Sequence, residues 1–353
     1  MNKKEKKRFK RKNLRLKNLN LDKLSNFEDE EVIEDKRAVQ KNLEQSSKSS
    51  KSNLNLGAAR VVEVLSNNRC LVQYNKKTFE AVISGRLKQI GHHTRTILAV
   101  GDLVNMNLEN NLIEEINPRH NTLSRFTEDS FQKEIILAAN IDQVVITSAF
   151  ANPGFRIGLI DRYLCAAAIN EITPIICINK SDLAEPEQIA EFDFYREKGI
   201  QVIFTSAETE EGLEELKILL KDKETVFSGS SGVGKSTLIN CLEPGLNLRV
   251  AEVSEYSNKG MHTTTSTKIV EWSFGGFLVD TPGIRTFTLH SKHKELIPRA
   301  FPGFDQLRKD CKFHNCTHTH EIKCAVKQAV DDEKYSEEHY LSYLRIMESL
   351  EEI

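Results

Sequence analysis

The sequence Gly229-Ser230-Ser231-Gly232-Val233-Gly234-Lys235-Ser236 decides the fold, because it has the G-x-x-x-x-G-K-[ST] spacing of a phosphate-binding loop. A short strand is predicted before it and a helix from Thr237 onward. In such a loop, backbone N–H groups surround the phosphates, the lysine reaches the β- and γ-phosphate oxygens, and the serine hydroxyl binds Mg²⁺. We therefore predict a nucleotide site over Gly229–Thr237, with Lys235 and Ser236 as catalytic residues and Ser236 as the magnesium ligand. A bare match of this kind is sometimes an ordinary Gly/Ser turn.

Three further short motifs follow strand-like segments elsewhere in the chain. They are Asn179-Lys180-Ser181-Asp182, Thr205-Ser206-Ala207 and Asp280-Thr281-Pro282-Gly283. Because loops that follow parallel strands meet at one edge of a sheet, we expect these motifs to lie beside the phosphate loop. An aspartate at a strand end suits contact with Mg²⁺ and sensing of the γ-phosphate, so we predict catalytic roles for Asp280 and Gly283.

The tetrad from Asn179 to Asp182 resembles the guanine-reading motif of the GTPase superfamily. In that motif the aspartate accepts hydrogen bonds from guanine N1–H and the 2-amino group, the lysine stem lies over the base, and the asparagine braces the loop. Adenine lacks the 2-amino donor and has an unprotonated N1, so this carboxylate selects guanine. The resemblance implies GTP binding by Asn179, Lys180 and Asp182, with Ser206 and Ala207 supporting the base.

The order of these motifs differs from that of an ordinary GTPase. There the phosphate loop comes first, followed by a switch threonine, D-x-x-G, N-K-x-D and the S-A loop. Here N-K-S-D and T-S-A precede the phosphate loop and D-T-P-G. Since all four motifs must still meet at one site, the sequence predicts a circularly permuted domain.

Composition restricts the class of protein. The chain has 353 residues, 39% hydrophobic and 28% charged, and no apolar run approaches the length of about 18 residues that spans a bilayer. The N-terminus lacks the apolar core of a signal peptide, so we expect a cytoplasmic protein with no membrane partner. Residues 1–17 contain ten Lys and Arg against one Glu. This charge predicts an arm that binds RNA or, alternatively, one that only solubilises the protein.

The chain divides by pattern into four segments, which predict a multidomain α/β protein. Residues 1–56 are predicted to be a disordered basic and Ser-rich arm and linker. Residues 57–125 have short β-prone runs that suit an all-β barrel of the oligonucleotide-binding type or, alternatively, an SH3-like barrel. From 126 to 290 strands and helices alternate, which predicts a mainly parallel sheet with helices on both faces. Residues 291–353 are predicted to be an α-rich zinc-binding domain ending in a helix.

A cluster of metal-binding residue types lies near the C-terminus, with C-x₄-C-x-H-x₅-C spacing: Cys311, Cys316, His318 and Cys324. Three thiolates and one imidazole complete a closed tetrahedral zinc site, which indicates a structural ion. Unligated thiols are the alternative, and a disulfide is disfavoured by the expected compartment. His314 and His320 are alternative ligands or RNA contacts.

Taken together, N-K-S-D, T-S-A, G-S-S-G-V-G-K-S, M-H-T-T-T, D-T-P-G and the Cys/His cluster resemble the RsgA family of circularly permuted GTPases. The resemblance covers residues 57–353. It implies an oligonucleotide-binding barrel, a permuted GTPase domain and a zinc domain holding one Zn²⁺. It further implies that the protein binds GTP and GDP with Mg²⁺, and binds the small ribosomal subunit and its rRNA. Stimulation by that subunit and action in its late maturation are implied as well.

The resemblance leaves the water-orienting group open. Thr263–Thr265 lies in the first switch by position, and Thr264 is assigned a catalytic role. Many GTPases orient the attacking water with a glutamine after D-x-x-G, but Ile284 stands there. His262 is the nearest candidate, and contact with a partner is its alternative role. We expect slow intrinsic hydrolysis by a monomer. A non-hydrolysing GTP-sensing RNA-binding module is the alternative, and an ATP-using kinase is disfavoured by the guanine motif.

Overall fold

The computed structural model describes residues 55–66, 68–90, 96–126, 134–246, 267–280 and 289–350. The chain divides after Asn55, and Leu56–Ile353 forms one compact unit. The predicted arm, apart from its last two positions, lies outside the described residues. Within the ranges given, no helix has both the length and the apolar character needed to cross a membrane.

A closed five-stranded barrel begins the described chain, as the sequence predicts. Its strands are β1 (Leu56–Ser66), β2 (Arg69–Tyr74), β3 (Lys77–Ile83), β4 (Leu103–Asn107) and β5 (Leu112–Ile116). The order around the barrel is β1-β2-β3-β5-β4, and β4 pairs with β1 to close it. Buried side chains such as Val61, Val72 and Ile113 form a core of its own. The parallel β3–β5 pair and helix α1 (Gly85–Ile90) favour the oligonucleotide-binding arrangement over the SH3-like one.

The β-prone runs predict five or six barrel strands, and the run from Thr96 to Val100, the candidate for a sixth, does not form a strand. The segment is irregular apart from a single bridge at Val100. The buried Asp102 explains the difference, because its carboxylate accepts a hydrogen bond from Ala99 N at 2.7 Å and pairs with Arg119 Nε at 2.6 Å. A side chain has taken the backbone donor that a strand ladder would use.

An antiparallel hairpin that the sequence did not predict follows the barrel. It consists of β6 (Thr122–Phe126) and β7 (Glu134–Ala139), and the predicted boundary between residues 125 and 126 falls inside it. Asn140 Nδ2 donates to Gly101 O at 2.9 Å, and Asn121 Nδ2 donates to Ile141 O at 2.7 Å. These buried amides tie the hairpin to the barrel on one side and to the next strand on the other.

A mainly parallel sheet forms the middle of the chain. Its strands are β8 (Gln143–Ala149), β9 (Thr173–Asn179), β10 (Gln201–Phe204), β11 (Glu224–Ser228), β12 (Lys268–Glu271) and β13 (Phe277–Asp280). The order is β10-β9-β8-β11-β13-β12, with β12 antiparallel to β13. Beyond β12 the sheet continues into β1 of the barrel, because Glu63 pairs with Lys268.

Helices cover both faces of this sheet, as predicted. They are α2 (Ile157–Ile169), α3 (Pro186–Ala190), α4 (Asp193–Glu197), α5 (Leu213–Leu220) and α6 (Lys235–Leu242). Alternate β8 residues enter different cores: Val144 and Ile146 pack with α2, and Val145 packs with α5 and α6. This alternation of buried residues follows from the period of two in a strand covered on both faces.

The proline at position 186 and the following pattern predict one helix over 186–198, but the structure has two short helices there. The chain turns between α3 and α4, and the turn buries Phe192 completely. Its ring lies 6.0 Å from that of Phe150 and 5.6 Å from that of Phe204. Burial of this aromatic ring outweighs the continuity of the helix.

Four further helices form the C-terminal part: α7 (Ile297–Ala300), α8 (Phe304–Leu307), α9 (Ala325–Asp331) and α10 (Glu337–Ser349). Helix α10 packs on α2 through a buried polar group. The Asp161 carboxyl accepts from Tyr195 OH at 2.9 Å and lies 3.0 Å from His339 Nδ1. Phe194 stacks on His339 with ring centres 3.6 Å apart. Burial raises the pKa of Tyr195, so its hydroxyl stays protonated and donates.

Candidate functional site

Five parallel strands end at the same edge of the sheet, and four of them lead directly into one of the predicted motifs. The last residues of β8, β9, β10, β11 and β13 are Ala149, Asn179, Phe204, Ser228 and Asp280. The structure thus brings together, within one edge, the N-K-S-D, T-S-A and phosphate-loop motifs and the first residue of D-T-P-G. Such an edge is where ligands bind in open α/β sheets.

The loop Gly229–Gly234 joins β11 to α6 with glycines that no other residue could replace without strain. Gly229 has φ +146° and Gly234 has φ +90°. A Cβ on Gly229 would lie 2.0 Å from Thr147 O, and one on Gly234 would lie 2.4 Å from Asn179 Nδ2. The conformation and the space around the loop therefore both require glycine.

The phosphate loop also fixes its own lysine. Lys235 Nζ donates to Gly229 O at 2.7 Å and to Ser230 O at 2.6 Å, which holds the ammonium group across the loop. Ser236 and Thr237 follow in the first turn of α6 and are half-buried. The arrangement places a cation, a hydroxyl and a helix N-terminus around one concave loop, which is suited to a phosphate group.

Asn179 connects three of the predicted motifs. Its Nδ2 donates to Val233 O of the phosphate loop at 3.1 Å, while its Oδ1 accepts from Ala207 N at 3.3 Å and from Thr205 Oγ1 at 3.4 Å. The side chain is buried. This asparagine therefore fixes the N-K-S-D loop against both neighbouring loops.

Lys180 and Asp182 are held by neighbours as well. Lys180 Nζ donates to Ala151 O at 3.0 Å and to Asn152 O at 2.5 Å, and its backbone is left-handed with φ +61°. Ser206 Oγ donates to Asp182 Oδ1 at 2.5 Å. Asp182 itself is exposed, and this hydrogen bond fixes one of its two carboxylate oxygens.

Two elements of this edge could not be found from sequence motifs. The carbonyls of Ala151 and Asn152 belong to the loop after β8, where no motif exists. Glu211 Oε2 accepts from Ser181 Oγ at 2.9 Å, and Glu211 O accepts from Ser206 N at 3.0 Å. This residue therefore links the N-K-S-D loop to the T-S-A loop. Backbone acceptors and exposed glutamates have no sequence signal that distinguishes them from ordinary surface positions.

Asp280 ends β13 on the same edge, half-buried. Burial raises the pKa of its carboxyl, and the charge of Lys268, its cross-strand partner, opposes part of that rise. The other predicted catalytic residues, His262, Thr264 and Gly283, lie outside the described residues, as does Ile284.

The Cys/His cluster is assembled in the C-terminal part. The ligand atoms of Cys311, Cys316, His318 and Cys324 all lie within 4.8 Å of one another. Individual separations are 4.0 Å between the sulfurs of Cys311 and Cys324, 3.6 Å from Cys311 Sγ to His318 Nδ1, and 3.4 Å from His318 Nδ1 to Cys324 Sγ. This group could hold a metal ion.

The loop that presents the cluster is tied to α10. Tyr340 OH donates to His318 O at 2.8 Å, and Tyr343 OH donates to Thr317 O. Burial tends to raise the pKa of the Glu321 carboxyl, but this carboxyl accepts hydrogen bonds from Thr317 Oγ1, Thr317 N and Thr319 N. These bonds outweigh the effect of burial and lower the pKa to about 2. The alternative ligands His314 and His320 are both exposed and lie outside the cluster.

The sequence and structure comparisons agree with one another, because each of them matches a GTPase. The sequence profile of the family described as RsgA GTPase matches residues 116–290. A protein of Flavobacterium psychrophilum named small ribosomal subunit biogenesis GTPase RsgA is 38% identical over 283 residues, which are 77% of this chain and 87% of the relative. A protein of the same name from Shewanella oneidensis is 42% identical over 245 residues, 68% of each chain.

Two solved structures are similar over most of the chain. The crystal structure of YjeQ from Thermotoga maritima matches with a TM-score of 0.69 at 29% identity, covering 84% of this chain and 99% of that one. The structure of YloQ, described as a circularly permuted GTPase, matches with a TM-score of 0.63 at 28% identity, covering 86% and 98%.

Proposed function

Because the chain belongs to the RsgA GTPase family and is therefore a GTP-hydrolysing enzyme, we propose that it acts on the small ribosomal subunit. In this proposal it binds that subunit and its rRNA, is stimulated by it, and takes part in its late maturation. The names of the relatives support the subunit as partner. The barrel supports a nucleic-acid contact, since folds of this type bind oligonucleotides on their strands and loops.

The observation that supports the nucleotide site best is the bridging role of Asn179. It joins the N-K-S-D loop to Val233 of the phosphate loop and to the T-S-A loop. We assign GTP binding to these three loops: Asn179, Lys180, Asp182, Ser206, Ala207, Gly229, Ser230, Ser231, Gly232, Val233, Gly234, Lys235, Ser236 and Thr237. Asp182 is the guanine-selecting group, because Ser206 fixes one of its oxygens and leaves the carboxylate exposed to a base.

Hydrolysis then depends on groups at the phosphate end. Lys235 binds phosphate oxygens in place of the loop carbonyls that it now contacts, and the Ser236 hydroxyl and the Asp280 carboxylate would hold Mg²⁺. When bound, Mg²⁺ neutralises charge that develops on the phosphates. We assign the remaining catalytic roles to Thr264, Gly283 and His262, with His262 orienting the attacking water.

The donor set of the C-terminal cluster fits zinc. Zn–S bonds of about 2.3 Å and Zn–N bonds of about 2.0 Å in a tetrahedron give S···S edges of about 3.8 Å and S···N edges of about 3.5 Å. The 4.0, 3.6 and 3.4 Å separations agree with these edges. Cys311, Cys316, His318 and Cys324 would therefore hold one structural Zn²⁺ per chain, which would link the metal loop to α9.

Guanine selection is tested at Asp182. Asp182→Asn turns one acceptor into a donor that faces the donors of guanine, so the Kd for GDP should rise about tenfold or more. Glu187→Gln, which removes one exposed charge from the neighbouring helix, is the matched control and should leave the Kd unchanged. Equal GDP affinity in the Asp182→Asn protein and the wild type would exclude this role.

The partner is tested by the GTPase rate with small subunits, with large subunits and without ribosomes. We expect stimulation by the small subunit, and loss of that stimulation in Ser236→Ala while the fold is kept. A protein that binds GTP but hydrolyses none in any of the three conditions would instead be the GTP-sensing RNA-binding module.

The arm is tested by subunit binding at several salt concentrations. Deleting residues 1–17 should flatten the salt dependence of that binding if the arm contacts RNA.

Nucleotide state is proposed to control subunit binding. A switch segment ordered by the γ-phosphate and released by its loss gives two states, and a tenfold difference in affinity needs only about 1.4 kcal/mol of coupling. Subunit affinity should be higher with a non-hydrolysable GTP analogue than with GDP. Equal affinities would exclude the switch.

We also propose to place the boundary of the nucleotide domain before β6, so that the hairpin is not divided.

A further inference from the structure

Among the described residues, strand β1 makes the backbone pairing between the barrel and the nucleotide-binding sheet. Glu63 of β1 pairs with Lys268 of β12, and Lys268 pairs on its other side with Asp280 of β13. Because cross-strand partners share a face of a sheet, these residues form a row of alternating charge from the barrel to the last residue of β13. The barrel is therefore continuous with the half of the sheet that ends at the phosphate loop and Asp280.

One barrel side chain reaches the starts of both strands that lead to those groups. Arg60 NH1 lies 2.7 Å from Glu224 Oε1, and the Arg60 guanidinium lies 4.7 Å from the centre of the Phe277 ring. Glu224 is the first residue of β11, Phe277 is the first residue of β13, and the two are paired in the sheet. Arg60 thus holds the ends of β11 and β13 together at the edge opposite the nucleotide site.

The Glu224 carboxyl is buried, and Arg60 is its counter-charge, through an ion pair that does not have hydrogen-bond geometry. Burial raises its pKa to about 7, with Arg60 opposing the rise and the neighbouring Asp142 adding to it. Its other oxygen, Oε2, has no hydrogen-bond partner within the described part of the chain. Removing the Arg60 charge therefore leaves a buried carboxyl without its counter-charge. Either the start of β11 then shifts, or the Glu224 carboxyl takes up a proton.

A shift at the start of β11 would reach the phosphate loop. Strands of five and four residues at about 3.3 Å per residue span only about 13–17 Å, and β11 and β13 are joined by parallel pairing next to Arg60. The guanine-reading loops are on β9 and β10, which lie on the far side of β8. A displacement at Arg60 is therefore expected to change the contacts to phosphate and magnesium and to leave the contacts to the base unchanged.

We propose that Arg60 is a positioning residue for GTP hydrolysis, which acts from the barrel and sets the phosphate loop and Asp280 relative to each other. The proposal rests on the proposed function for the site itself. It predicts that Arg60 acts on hydrolysis and not on guanine selectivity.

Three variants test this role. Arg60→Met keeps the aliphatic stem and removes the charge, and Arg60→Lys restores a charge without the planar group. Arg196→Met is the matched control. Arg196 of α4 also combines an ion pair, to Asp193 at 2.9 Å, with a ring contact, to Phe204 of β10 at 4.9 Å, and neither partner belongs to β11 or β13. For each protein, kcat and KM are measured without ribosomes and with small subunits, together with the Kd values for GDP and ADP.

In Arg60→Met we expect kcat to fall about fivefold or more in both conditions, while the Kd for GDP and the GDP-over-ADP preference stay within about twofold. Arg60→Lys should recover part of kcat, and Arg196→Met should leave it within about twofold. Unchanged kcat in Arg60→Met, or a parallel loss of GDP affinity and guanine preference, would overturn the proposal.

Two further readouts keep the result interpretable. If Arg60→Met does not fold, Glu224→Gln removes the opposite partner with little change in size, and the same fall in kcat is required of it. The rate without ribosomes tests Arg60 even when the wild type shows no stimulation, an outcome that would reject the ribosomal partner and leave the positioning role to be decided on intrinsic kcat alone.

Discussion

The two ends of the described chain join the nucleotide-binding sheet in different ways. The C-terminal part shares one hydrophobic core with the sheet, in which Ile146 and Ile176 pack in the same cluster as Phe304 and Ile346. The barrel has a separate core and meets the sheet through strand β1, the Arg60–Glu224 pair and the half-buried Val62 and Val64. A rigid movement of the C-terminal part would have to open a shared core, whereas the barrel junction includes one backbone pairing, one ion pair and two half-buried valines.

Loss of the metal is expected to have the largest effect, and only on the C-terminal junction. Cys316→Ser should lower the zinc content from about one ion per chain toward zero and unfold the segment around α9, because a structural ion contributes folding energy directly. Elemental analysis and proteolysis measure this. His314→Ser changes an exposed histidine of the same segment and should keep the metal. Zinc retained in Cys316→Ser and lost in His314→Ser would reverse the ligand assignment.

Loss of the buried polar group at the C-terminal junction should have the second-largest effect. Asp161→Ala leaves His339 and Tyr195 buried without their acceptor, so the free energy of unfolding should fall by about 3 kcal/mol. Urea unfolding measures it. Asp193→Ala removes an exposed carboxylate paired with Arg196 and should cost about 0.5 kcal/mol or less. Similar losses in the two variants would mean that the buried group contributes no more than a surface ion pair.

The barrel junction should show the smallest effect, visible as a pH dependence. Because the folded-state pKa of Glu224 is raised from 4.5 to about 7, the folded protein binds a proton more readily than the unfolded chain. The stabilisation by this proton is present below pH 4.5 and is lost as the pH rises through 7. Glu224→Gln should therefore remove about 2 kcal/mol of the fall in stability between pH 5 and pH 7.5. An identical fall in both proteins would show that Glu224 does not titrate in this range.

Short motifs at strand ends predicted the nucleotide edge well, because each one combines a local backbone requirement with a chemical role. Gly229 and Gly234 illustrate this: their conformations and the lack of space beside them permit only glycine. The circular permutation was also predicted from motif order, and the fold class from the pattern of strand-like and helix-like segments; the structural neighbours confirm both. The residue roles themselves remain proposals.

Long-range contacts could not be predicted in the same way. Asp102 removes a strand by bonding to Ala99 N, and nothing in the local pattern 96–100 signals it. The junctions at Arg60 and Asp161 join residues 164 and 178 positions apart, so no window of sequence contains both partners. Side chains that act across such distances look like ordinary surface charges until the fold is known.

The position of β11 in the sheet has a consequence for synthesis of the protein. Strand β8 is paired with β9 on one side and with β11 on the other. In the permuted chain, β8, β9 and β10 leave the ribosome before β11, so one edge of β8 stays unpaired until Glu224–Ser228 emerges. An unpaired strand edge on a nascent chain is a site for aggregation and for chaperone binding. Since the phosphate loop is made after the guanine loops, GTP can assist folding only once the later half of the sheet is present.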